Sequence, residues 1–195
     1  VDARIVTWAT EVSRNVAGVA WLSHLVSSLP FGLTLLVLGA ALLWSRRRPG
    51  WAAAALLIAL VFGTDWINHN LFKEWARRPR PCQVLVGLYT PDGCGPAWSM
   101  PSGHAATHFA GAAVIMALEP WYAFVVVPIA VLVALSRVFL GVHYLSDVVV
   151  GAGVGLLLGA PLPLLARRWL RDRHERAGRQ RLRAGGEVPG RTSGR

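Results

Sequence analysis

The chain has 195 residues, 54% of them hydrophobic, a net charge of +10 and a mean hydropathy of +0.44. Its apolar residues come in blocks, not amphipathic stripes, which excludes an ordinary soluble domain and predicts a single membrane domain. The charge does not predict nucleic-acid binding: from Arg167 onward ten arginines meet only Asp172, Glu175 and Glu187, and a tail with no aromatic beyond Trp169, ending in Gly, Arg and Ser, suits a disordered anchor beside anionic lipid.

In chain order, residues 3–28 carry Arg4, Glu11, Arg14 and His24 among apolar residues at roughly helical spacing. That predicts an interfacial amphipathic helix, with a full crossing as the alternative. No basic stretch precedes a compact apolar core, so a signal peptide is not expected. Five spans follow, at 29–44, 51–67, 103–118, 120–135 and 148–166. Most fall short of the ~20 residues that cross a bilayer, so Trp44, Trp51, Trp66 and Trp121 are expected to complete them at the interfaces. The reading is therefore an all-α integral membrane protein, a bundle of five or six helices, in three parts: an N-terminal segment 1–28, a transmembrane core 29–166 and a basic tail 167–195. Gly151, Gly153, Gly155 and Gly159 in the last span predict close helix packing.

Arg46, Arg47 and Arg48 lie between the first two spans, and the tail follows the last. With five spans both clusters fall on one side, which the excess of positive charge in cytoplasmic loops makes the cytoplasm. The second span then exits outward near His69, the third and fifth begin outside at Ser102 and Leu145, and the fourth ends outside near Ser136. Lys73, Arg77, Arg78, Arg80 and Arg137 are thereby placed on the side that disfavours cations, which argues for a function. Lys73 is the chain's only lysine. Cys82 and Cys94 share this outer loop; in an oxidising compartment they can bridge it, two reduced thiols being the alternative.

Three short stretches gather the polar chemistry at the outer helix ends: Lys73 to Pro81, Pro101-Ser102-Gly103-His104, and Ser136-Arg137 with His143 and Asp147. Lys73 offers a compact charge, while Arg80 and Arg137 offer planar forks that match phosphate oxygens. Pro101-Ser102-Gly103 reads as a helix start, with Ser102 as its cap, Gly103 open to a ligand and the exposed amides forming an anion site. His104 falls in the first turn, beside that anion. His143 and Asp147 share a face if the last helix begins near Val142.

In this order and spacing the stretches resemble the three signature motifs of the type 2 phosphatidic acid phosphatase family, the membrane branch of the superfamily that includes vanadium-dependent haloperoxidases. The resemblance runs from Lys73 to Asp147. It implies that His143 attacks phosphorus to form a phosphohistidine, that Asp147 orients His143, and that His104 protonates the leaving group. It further implies that Lys73, Arg80, Ser102, Gly103 and Arg137 hold the phosphoryl oxygens. No metal or other cofactor is implied, since the cations already neutralise the phosphate.

Arg77 and Arg78 lie outside the motifs and are expected to be surface or headgroup contacts. His108 is expected to pack or to support His104; a metal pair is disfavoured because no third ligand is evident. Asp65, Asn68 and His69 are either partners of the cations or interfacial polar residues. The expected activity is that of a multi-pass lipid phosphatase of the cell membrane with an extracytoplasmic site. Its partners are then the bilayer and a lipid phosphate, and the sequence does not fix an oligomeric state. A short chain with a small outer loop suits undecaprenyl diphosphate first; phosphatidate, phosphatidylglycerol phosphate and a polyprenyl phosphosugar are the alternatives. An anion transporter should carry its polar residues near the bilayer midplane, and a lipid-binding scaffold should have lost His104 or His143.

Overall fold

The computed structural model describes residues 1–28, 32, 36–41, 50–165 and 167–168, and every regular element among them is helical. In chain order these are α1 (Asp2–Asn15), α2 (Ala17–Ser27) and α3 (Gly50–Ile67), the last continued by a π-helical turn (Asn68–Phe72) and α4 (Lys73–Ala76). The short α5 (Pro81–Val84) follows, then α6 (Gly103–Leu118), a 3-10 turn (Pro120–Tyr122), α7 (Ala123–Phe139) and α8 (Leu145–Gly159). Residues 36–41 are also helical. The rest of the predicted span 29–44, the Arg46-Arg47-Arg48 cluster and the tail beyond Arg168 lie outside the described residues.

Instead of one helix over 3–28, the chain turns at Val16 (φ −121°, ψ 91°) into two. α1 buries Val6, Ala9, Thr10 and Ser13, a single stripe at helical spacing. It packs against α7 and α8, while α2 packs against α7. Among the described residues three stretches are long and apolar enough to cross a membrane: Trp51–Val84, Pro120–Phe139 and Leu145–Leu165. α6 has 16 residues, a rise of about 24 Å at 1.5 Å per residue, short of a ~30 Å hydrocarbon core. It forms the centre of the bundle, packed by α3, α7 and α8.

Small residues decide how α6 meets α8. A Cβ on Gly151 would lie 2.5 Å from the Ser102 carbonyl oxygen, one on Gly155 2.2 Å from that of Ala106, and one on Gly159 2.5 Å from that of Ala110. Only glycine permits that approach, and it gains the dispersion contacts that hold helices together where lipid supplies no hydrophobic drive. Gly153 has nothing within 4 Å, so it is not part of the packing stripe expected from the sequence; it sits between two stripe positions on the opposite side of the turn.

The same packing sets the floor of the site. Val6, Ala9, Ala105, Ala134, Val138, Tyr144 and Val148 form one buried cluster at the end of the bundle where α6 and α8 begin and α7 ends. α7 stops at Leu140 and Gly141, whose φ of +71° is the left-handed conformation that glycine tolerates.

Candidate active site

α6 leaves this end of the bundle, α7 returns to it and α8 leaves again, so Ser102, Gly103, His104, Arg137, His143 and Asp147 converge. The segment after α3 brings Lys73 and Arg80 to the same place. A bond between Cys82 and Cys94, with Cα atoms 5.8 Å apart, closes the adjoining loop.

His143 does not share a helical face with Asp147, because α8 begins only at Leu145. The reason is local. Asp147, in the first turn, folds its Oδ2 back to accept the Tyr144 N–H at 2.8 Å, which caps the helix there and leaves His143 in the preceding turn. Ser99 Oγ donates to the same Oδ2. His143 Nδ1 faces that oxygen at 3.6 Å and Ser99 Oγ at 3.5 Å. Both neighbours can accept, so Nδ1 carries the proton and Nε2 keeps its lone pair. His143 is 2% exposed and Asp147 fully buried. Burial first, and then the charges of Arg80, Lys73 and Arg137, outweigh the hydrogen bond to Asp147 and push the His143 ring down to about 4 from 6.5. The ring is therefore neutral at physiological pH.

The cations hold the loop closed by the disulfide as well as facing the site. Lys73 Nζ donates to the Trp98 carbonyl at 2.7 Å, and Arg80 Nε to that of Ala97 at 2.7 Å. Arg80 also reaches the Val142 carbonyl at 3.4 Å, next to His143. Ser102 N–H donates to the Asp147 carbonyl at 3.0 Å, and the first bond within α6 runs from Ala106 N–H to Ser102 O. The amides of Gly103, His104 and Ala105 thus lie ahead of the helix's own ladder. Contrary to the expected cap, the Ser102 hydroxyl makes no capping bond. Ser102 Oγ, Arg137 Nε and Asn68 Oδ1 are buried without a hydrogen-bond partner. Two unused donors beside free amides and a cationic wall are what a bound oxyanion satisfies.

His104 Nε2 donates to the Ser27 carbonyl at the end of α2, at 3.0 Å. His108 stacks on it with ring centroids 6.5 Å apart and donates from Nδ1 to the His104 carbonyl at 2.8 Å. Asn68 Nδ2 donates to the Pro101 carbonyl at 3.3 Å, pinning the turn that starts α6. From His104 and Gly103 an apolar cavity of about 610 Å³ runs between α3, α6 and α7, walled by Leu57, Val61, Ile115, Val126 and Ile129. On the other side of the site, Lys73, His69, Glu74 and Trp98 line a more polar cavity of about 400 Å³.

Three residues bonded into the candidate site escaped the sequence reading. Arg78 is not a headgroup contact: it donates to Asp147 Oδ1 at 2.7 Å, to Ser146 Oγ at 2.6 Å and to Asp2 Oδ2 at 3.0 Å, over the face of Tyr144. Asp2 accepts from the Ser146 amide and hydroxyl. Burial opposes ionisation of Asp2, but the hydrogen bonds from Ser146 and Arg78 win and hold its carboxyl below the usual range. Ser99 is the third. The position of Arg78, two before Arg80, was the one available signal; nothing in the sequence joins Asp2 to it. Arg77 does stay exposed, 4.0 Å from Glu74.

An all-helical membrane bundle with cations, helix amides and a neutral imidazole converging at one end defines a membrane-embedded phosphohydrolase. The comparisons give the family: residues 48–172 match the PAP2 superfamily, and the chain belongs to it, as a membrane lipid phosphatase. It is 32% identical over 166 residues to the phosphatidylglycerophosphatase B of Bacillus subtilis, covering 77% of this chain and 72% of that one. It is 37% identical over 143 residues to a decaprenylphosphoryl-5-phosphoribose phosphatase of Mycobacterium tuberculosis, covering 71% and 73%. Among solved structures it resembles the transmembrane PAP2-type phosphatidylglycerolphosphate phosphatase of Bacillus subtilis (TM-score 0.60, 28% identity, 88% and 85% covered). It also shares the fold of Aquifex aeolicus LpxE (TM-score 0.64, 23% identity, 81% and 92% covered).

Proposed function

We propose that this phosphatase works through a phosphohistidine on His143 and acts on a lipid phosphate at the extracytoplasmic face. The observation that carries the reading is the pair of buried, unused donors, Ser102 Oγ and Arg137 Nε, beside the leading amides of α6. Lys73, Arg80 and Arg137 neutralise the phosphoryl oxygens, and the amides of Gly103 and its neighbours bind an equatorial oxygen. His143 Nε2 forms a bond to phosphorus as the bond to the ester oxygen breaks. Asp147 stabilises the charge on the ring. His104, protonated beside the arriving phosphate dianion, gives its proton to the departing oxygen, then takes one from the water that cleaves the phosphohistidine.

The apolar cavity that starts at His104 supports a leaving group continuous with a lipid chain. Relatives named for phosphatidylglycerophosphate and decaprenylphosphoryl-5-phosphoribose support a phosphatidylglycerol-phosphate or polyprenyl-phosphosugar substrate over undecaprenyl diphosphate. With purified protein, phosphate release should survive EDTA and be inhibited by vanadate. An acid-labile, base-stable phosphoenzyme should be trapped with the wild type and not with His143→Ala. Activity lost on chelation and restored by magnesium, or a phosphoenzyme that persists without His143, overturns the mechanism.

A further inference from the structure

The wall of the apolar cavity holds one carboxylate among the described residues, Asp65. It lies in the last turn of the apolar helix α3, and an ionisable side chain there that lines a cavity marks a ligand path more often than a structural need. Its Oδ1 lies against the first turn of α6: a Cβ placed on Gly103 would sit 3.6 Å from it. His104 lines the same cavity. Asp65 is exposed and makes no hydrogen bond or direct ion pair with any described residue; its charge acts on Lys73 only at a distance, behind that of Asp147. It also does nothing for phosphate affinity, since a carboxylate beside an anion site repels the anion. What gains from it is a leaving group whose atoms next to the ester oxygen donate hydrogen bonds and carry no negative charge, any phosphodiester lying further along the lipid.

We infer that Asp65 selects the leaving group, accepting hydrogen bonds from the hydroxyls of a neutral glycerol or sugar next to the ester oxygen and repelling a phosphate bonded directly to that oxygen. This rests on the phosphatase reading, with His104 on the leaving-group side. The substrate class is then a phosphate monoester on a lipid-linked polyol, and lipid diphosphates are disfavoured because their leaving group is itself a phosphate. Discrimination of this kind combines an attractive and a repulsive element in one side chain. A carboxylate provides both. An amide keeps part of the first and loses the second.

The test compares kcat/KM of the full chain in detergent for phosphatidylglycerol phosphate, hexadecyl phosphate and farnesyl diphosphate, in wild type, Asp65→Asn, Asp65→Ala and Asp65→Glu. The wild type should prefer the polyol monoester to both others. Asp65→Asn and Asp65→Ala should raise the diphosphate-to-polyol ratio on the order of tenfold. Asp65→Ala should also erase the preference over hexadecyl phosphate, while Asp65→Glu keeps the sense of the wild type. Each ratio is read on one protein sample, so partial misfolding cancels. Unchanged ratios in Asp65→Ala, or a wild type that prefers the diphosphate, overturn the assignment and leave the phosphatase standing. No phosphate release by the wild type from any of the three removes the phosphatase reading and the assignment with it.

Discussion

Asp147 has no contact with water, so the groups around it decide whether its charge is tolerated and whether His143 stays oriented. Arg78, Ser99 and the Tyr144 amide share that task. Removing one partner of a buried pair strands the other and costs far more than an exposed ion pair. Arg78→Ala should therefore lower kcat about 10²-fold with KM little changed, since the phosphate contacts proposed for Lys73, Arg80 and Arg137 would remain; Arg78→Lys should recover part of it. A KM effect alone would place Arg78 with the substrate instead. His143 sets a second expectation. With its folded value lowered to about 4 against 6.5 unfolded, the unfolded chain binds more protons between those values. Its contribution to stability is then fully present above pH 6.5 and is lost as pH falls toward 4. Its ring should remain neutral at pH 5.5 in an NMR titration in detergent, and a midpoint near 6.5 contradicts the burial argument.

At the level of elements, the contact between α6 and α8 positions chemistry as well as supplying packing. Gly151 brings α8 against Ser102, and from there the Asp147 carbonyl takes the Ser102 amide, so the helix that carries Asp147 is bonded to the helix start proposed to meet the phosphate. Gly155→Ala should destabilise the protein by about 1–3 kcal/mol and reduce activity, because its methyl meets the Ala106 backbone. Gly153→Ala has open space and should be neutral or stabilising by up to about 1 kcal/mol through helix propensity. Thermal melting of both variants in detergent checks the contrast; equal losses would mean that the approach of the two helices is not set by the stripe.

For the whole molecule, the site's cations and the loop closed by Cys82 and Cys94 occupy one end, and arginine bias in the connections predicts that this end lies outside. Val86 is fully exposed at the loop surface, and with the Cys82–Cys94 bond intact an introduced Val86→Cys is the free thiol. It should react with a membrane-impermeant reagent in intact cells. Labelling confined to inverted vesicles would reverse the orientation and put the substrate on the inner leaflet.

The sequence by itself determined what rests on composition and local pattern. Its apolar blocks fixed the membrane class, and the residue types at Lys73, Arg80, Ser102-Gly103-His104, Arg137, His143 and Asp147 carried the family resemblance. Gly151, Gly153, Gly155 and Gly159 pointed to close packing, and the structure keeps only the three that are four apart, because side chains four apart share a helix face. Only the tertiary structure decided what depends on distant segments meeting. Asp2 reaches Arg78 and Ser146 across the length of the chain, Ser99 stands between His143 and Asp147, and the Ser102 hydroxyl is left unused by its own helix. Asp65 becomes informative only once α3 lies beside the first turn of α6. No periodicity encodes these meetings, because they are set by which helix faces pack and how closely glycine lets them approach.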